Sequence, residues 1–106
     1  MNDMDELLKL QAELDNHIAK TRGAEAKPID LCRAIIHEAV ELEDELGWKW
    51  WKTAKGVDSA RAKEEAIDVL HFLLSLFIKL GMDAKEVEEA YRRKWHVNMD
   101  RQNKGY

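Results

Sequence analysis

Apolar residues along this chain recur three and four positions apart instead of alternating, and Ala, Leu, Glu and Lys fill the space between them, a pattern that predicts helices throughout. The first helix is expected over Asp3–Thr21, with a stripe of Met4, Leu7, Leu14 and Ile18, a capping-box-like start at Asp3 and Glu6, and a stop at Gly23. Pro28 suits the first turn of a second helix over Ile29–Leu46, whose stripe is Leu31, Ile35, Ala39, Leu42 and Leu46 and whose end is Gly47. A third is expected over Ser59–Leu80, ending at Gly81. A fourth opens near Ala84, behind Asp83 and Glu86, and runs to about Asn98 or beyond. From Val69 to Leu80 nine of twelve residues are apolar and lie on every side, which predicts a central helix surrounded by protein. Between the second and third helices the loop Gly47–Gly56 carries Trp48, Trp50 and Trp51 interleaved with Lys49, Lys52 and Lys55. The expected fold is all-α, a compact four-helix bundle-like arrangement.

Length and charge narrow the classes. The 106 residues predict a single domain over 1–106. A core this small favours pairing with a second copy, so a homodimer is expected. Apolar residues at 45% and charged residues at 36% suit neither an acidic disordered chain nor a membrane protein. The longest apolar segment, 69–80, is too short to span a bilayer. A net charge of -4 argues against a duplex nucleic-acid binder. Cys32 is the only cysteine, which excludes an intrachain disulfide or a multi-cysteine zinc site. Acidic Asp3, Asp5 and Glu6 stand where a signal peptide would be basic, and a cytoplasmic location is expected.

The informative positions are polar residues that intrude on apolar faces. Gln11 falls within the first stripe, so its amide should be buried and need partners; it is suited either to a nucleobase edge or to a neighbouring loop backbone. Glu38 and Glu41 lie three apart on the second helix, and Glu65 and Asp68 repeat that spacing on the third. Carboxylates against an apolar face are costly without cations, so two facing pairs suggest hard divalent metals, Mg²⁺ or Mn²⁺, while a solvated acidic face is the plain alternative. A di-iron bundle would need Glu-x-x-His on two helices, and only Asp68-x-x-His71 approaches it. His71 and Ser75 sit one turn apart beside Phe72, where a lone histidine is more often structural than catalytic. On the fourth helix the stripe of Val87 and Tyr91 continues as Lys94, Asn98 and Arg101, an end suited to phosphate oxygens or else simply solvated. The tryptophans, Trp48 and Trp51 among them, are suited to stacking a base with Lys52 meeting phosphates, or equally to plugging an interface. Together these features describe a metal-dependent nucleotide phosphohydrolase.

The same residues resemble a known family, the dimeric all-α dUTPases, which belong with the MazG-like NTP pyrophosphatases. The likeness rests on Glu38-x-x-Glu41 followed by Gly47, Trp48, Lys49, Trp50, Trp51 and Lys52, and on Glu65-x-x-Asp68 running into His71, Phe72 and Ser75. It extends through Tyr91-x-x-Lys94, Asn98, Arg101 and Gln102 to the closing Gly105 and Tyr106. It implies that Glu38, Glu41, Glu65 and Asp68 hold Mg²⁺ (Mn²⁺ as substitute), with Glu41 orienting or deprotonating the attacking water. Lys94, Asn98 and Arg101 would clamp phosphates. Gln11 and a loop tryptophan would hold uracil, and His71 with Phe72 would contact the deoxyribose. The implied reaction is dUTP and water to dUMP and pyrophosphate. Trp95 stands where the family usually has asparagine, and the chain lacks the inserted helices of longer members. Both departures bear on selectivity for dUTP and leave the carboxylates untouched. The nearest alternative is the same chemistry on another pyrimidine or non-canonical dNTP, such as dCTP; from another class, it is an inert helical dimerisation or regulatory protein.

Overall fold

In a computed structural model, which describes residues 3–53 and 56–105, four helices follow one another: α1 (Asp3–Arg22), α2 (Pro28–Leu46), α3 (Ser59–Lys79) and α4 (Ala84–Asn103). There is no strand among the described residues, and the all-α, four-helix bundle-like arrangement matches the helical spacing of the chain. Local chemistry sets the boundaries. Pro28 occupies the first turn of α2, where its missing N–H costs nothing, and the Lys27 amide donates back to Asp30 Oδ2 at 2.9 Å. Asp58 caps α3 by accepting from the Arg61 amide, and Asp83 caps α4 by accepting from Glu86. Gly47 closes α2 with φ at +68°, a left-handed conformation that a residue with a Cβ rarely takes.

Helix α3 packs along α2 over most of its length. The pair is antiparallel: Arg61, near the start of α3, meets Glu45, near the end of α2, at 3.6 Å. Helix α1 meets the C-terminal half of α3. Buried Leu8, Leu74 and Ala84 form the centre of the core there, with Met4, Phe77 and Ile78 packed around them. Helix α1 buries Gln11 as expected and Met4 packs against the core, but Leu8 is buried in place of Leu7, Leu14 and Ile18, which stay more than two-fifths exposed. Among the described residues no helix is long and apolar enough to cross a membrane.

Helix α3 is not enclosed as its all-round apolar half predicts. Leu74 and Ser75 are buried, but Leu70 and Leu80 are exposed. The reason is α4, which is anchored through buried Ala84 and half-buried Val87 and Ala90, and from Tyr91 onward is exposed at every described position. The radius of gyration, 17.1 Å, reflects that reach; about 13 Å is usual for this length.

Candidate functional site

Because α2 and α3 are antiparallel neighbours, the two carboxylate pairs spaced three apart come to face one another. One oxygen each of Glu38, Glu65 and Asp68 lies within 4.8 Å of the other two. Oε2 of Glu38 and Oε2 of Glu65 are buried and accept no hydrogen bond, and no Lys or Arg forms an ion pair with any of these carboxylates among the described residues. Burial, followed by the charge of Glu41, pushes the Glu38 carboxyl from 4.5 up to about 7. Glu65 is also raised, chiefly by burial. Glu41 itself is exposed and lies beside the cluster, not within the set of three. Unpaired carboxylate oxygens crowded against each other need a cation, and an all-oxygen donor set suits Mg²⁺ or Mn²⁺. Histidine is absent from the cluster, unlike the donor set of a di-iron bundle.

Glu38 and Asp68 form part of the wall of a cavity of about 520 Å³, which continues past His71 and Phe72 to Gln11, Asp15 and Ser75. That volume lies within the range of small-molecule sites. Gln11 is 5% exposed, as expected from its place on α1, yet its partners are side chains and not a loop backbone. Its Nε2 donates to Ser75 Oγ at 2.9 Å and to Asp15 Oδ1 at 3.0 Å. Ser75 Oγ in turn donates to Asp15 Oδ1 at 2.9 Å, and His71 Nδ1 lies 2.6 Å from Gln11 Oε1. His71 is therefore bound to the amide network and is not paired with Asp68 as a metal ligand. Asp15 was not anticipated by the stripe analysis. Its signal was present, since it follows Gln11 by one helical turn and so shares its face.

Other expected site residues do not line this cavity. Trp48 and Lys52 line a second one, of about 430 Å³, at the end of α2. There Trp48 Nε1 donates to Asp44 at 3.1 Å and Trp51 stands edge-on to the Trp48 ring at 5.5 Å. Lys94, Asn98 and Arg101 belong to the exposed half of α4.

The chain is 33% identical to the dCTP pyrophosphatase of Enterobacteria phage T4, over 62% of this chain and 46% of that protein. It is 36% identical to the dCTP pyrophosphatase of Enterobacteria phage LZ5, over 62% and 45% respectively. It thus spans less than half the length of these curated relatives. No solved structure gives a significant match. A family model described as dUTPase matches residues 3–85, which include Gln11, Asp15 and all four paired carboxylates, and on that match the chain belongs to this all-α dUTPase family.

Proposed function

We propose that the chain is a divalent-metal-dependent pyrophosphatase that converts a pyrimidine deoxynucleoside triphosphate and water into the monophosphate and pyrophosphate. The observation that carries this reading is the trio Glu38, Glu65 and Asp68, with two buried oxygens lacking any donor, of which Glu38 and Asp68 line a cavity large enough for a nucleoside. These three would hold Mg²⁺, with Mn²⁺ as substitute. When bound, the ion supplies charge neutralisation of the triphosphate oxygens and lowers the pKa of a coordinated water. Glu41, exposed beside Glu38, would accept a proton from the attacking water. Gln11 and its partners would meet the base, and His71 with Phe72 the deoxyribose.

Lys94, Asn98 and Arg101 would clamp phosphates from α4 of a second copy. A homodimer is supported by the uncovered faces of one chain, where Tyr91, Trp95, Val97 and Met99 on α4 and Ile67 on α3 are all exposed. Trp48, Trp51 and Lys52 would take part in base and phosphate binding in that same assembly. Similarity to two dCTP pyrophosphatases favours dCTP over dUTP as the substrate.

The test is hydrolysis of dUTP, dCTP, dTTP, dATP, dGTP and UTP with Mg²⁺, resolving monophosphate plus pyrophosphate from diphosphate plus phosphate. Preferential release of dCMP or dUMP with pyrophosphate is expected. Absence of cleavage of every nucleotide with Mg²⁺ and with Mn²⁺, together with no saturable metal binding, would overturn the reading in favour of an inert helical module.

A further inference from the structure

We propose that Asp15 is the residue that selects the base, by accepting a hydrogen bond from the exocyclic amino group of cytosine. The proposal rests on the pyrophosphatase reading only for the position of the nucleotide in the cavity.

The argument is a count of protons. Gln11 Nε2 has two hydrogens, and both are spent, on Ser75 Oγ and Asp15 Oδ1. Ser75 has one, and it goes to Asp15 Oδ1. The amide cannot be turned over without cost, because its oxygen would then lie about 3 Å from a carboxylate oxygen. Asp15 therefore holds Gln11 with Oε1 towards the ring of His71, whose Nδ1 donates to it. The amide and hydroxyl donors of this group are consumed internally. What remains for a ligand is acceptors: Asp15 Oδ2, which has no partner among the described residues, and the second lone pair of Gln11 Oε1.

A wall of acceptors discriminates between pyrimidines. Cytosine presents an amino donor at position 4, the group that Asp and Glu read elsewhere. Uracil and thymine present a carbonyl oxygen there, which would meet the carboxylate acceptor to acceptor. Asp15, Gln11 and Ser75 share the cavity with Glu38 and Asp68, so a base on the first group and phosphates on the second can belong to one nucleotide.

The test compares kcat/KM for dCTP, dUTP and the 2-pyrimidinone deoxynucleoside triphosphate, which lacks any group at position 4, on the unmodified protein and on Asp15→Asn. The unmodified protein should favour dCTP over both others by about 10- to 100-fold, the span of one charge-assisted hydrogen bond. Asp15→Asn, which offers an amide donor, should narrow or invert the dCTP to dUTP ratio. Equal use of dCTP and the 2-pyrimidinone analogue by the unmodified protein would overturn the assignment even if the variant does not fold, while leaving the pyrophosphatase reading intact. Binding of dCMP and dUMP, followed by amide chemical shifts, separates the two ideas in the other direction. An Asp15-dependent preference for dCMP without any turnover would sustain the base reader and remove the catalytic reading; no preference would overturn the base reader.

Discussion

Replacing Glu38 by Gln should make the metal-free protein more stable at alkaline pH while weakening its hold on Mg²⁺. Burial and the neighbouring Glu41 hold the Glu38 carboxyl at about 7 in the fold, against a value near 4.3 in an unfolded chain. A carboxyl whose folded value is raised contributes stability below its unfolded value, and that contribution is lost as pH rises through about 7. Taken whole, the difference would be about 4 kcal/mol at pH 8. The carboxylates border an open cavity, so solvent screening leaves on the order of 1 kcal/mol, a shift of roughly 4–8 °C in Tm for a chain of this size. Thermal melts in EDTA at fixed protein concentration, from pH 5 to 8.5, provide the assay. The unmodified protein should lose Tm between pH 5 and 8, Glu38→Gln should lose less, and Mg²⁺ should restore the loss only in the unmodified protein. Parallel pH profiles for the two proteins, with equal responses to Mg²⁺, would refute the claim that these carboxylates are crowded for want of a cation.

Three further outcomes follow from the packing and the polar network. Ser75→Ala removes a hydroxyl that is 3% exposed and leaves a buried Gln11 N–H without its acceptor, so urea unfolding should show a loss of about 2 kcal/mol; a loss below about 0.5 kcal/mol would mean that the network holds nothing. Leu74→Ala, at the centre of the core and 4% exposed, should cost about 3 kcal/mol by the same measurement. Trp95→Glu on the exposed half of α4 should shift sedimentation towards the monomer without loss of helical circular dichroism, and an unchanged oligomer would remove α4 from the proposed dimer contact.

The sequence made the helices legible because each boundary carries its own local chemistry. Pro28, Asp58, Asp83 and Gly47 act through the backbone atoms beside them, and no tertiary contact is needed to anticipate that. The carboxylates were legible for a related reason. A spacing of three on each of two helices puts Glu38 with Glu41 and Glu65 with Asp68 on one side, whatever the rest of the chain does. The buried face of α1 was less so. The stripe places Gln11 inside, as the fold does, but counts Leu7, Leu14 and Ile18 with it, whereas the fold buries Leu8, since what faces α3 is decided by Ser75 and His71 as much as by apolar residues. Asp15 escaped notice because a carboxylate on a helix surface is ordinary until its neighbours are known.

The exposed half of α4 and the crowded carboxylates have a common explanation. A helix whose apolar residues Tyr91, Trp95 and Met99 are exposed, and a carboxylate cluster whose Glu38 and Glu65 oxygens lack donors, are each half of an interaction. The cationic residues that sequence spacing aligns with Tyr91, namely Lys94 and Arg101, would neutralise a triphosphate whose other oxygens face metal at Glu38, Glu65 and Asp68. On the proposed reading the cations come from α4 of a second copy, which makes catalysis by an isolated copy unfavourable. Activity should therefore fall with dilution along the same curve as dimer content. A specific activity that stays constant well below the dimer dissociation constant would place all phosphate-binding groups within one chain and return Lys94 and Arg101 to the role of solvated surface.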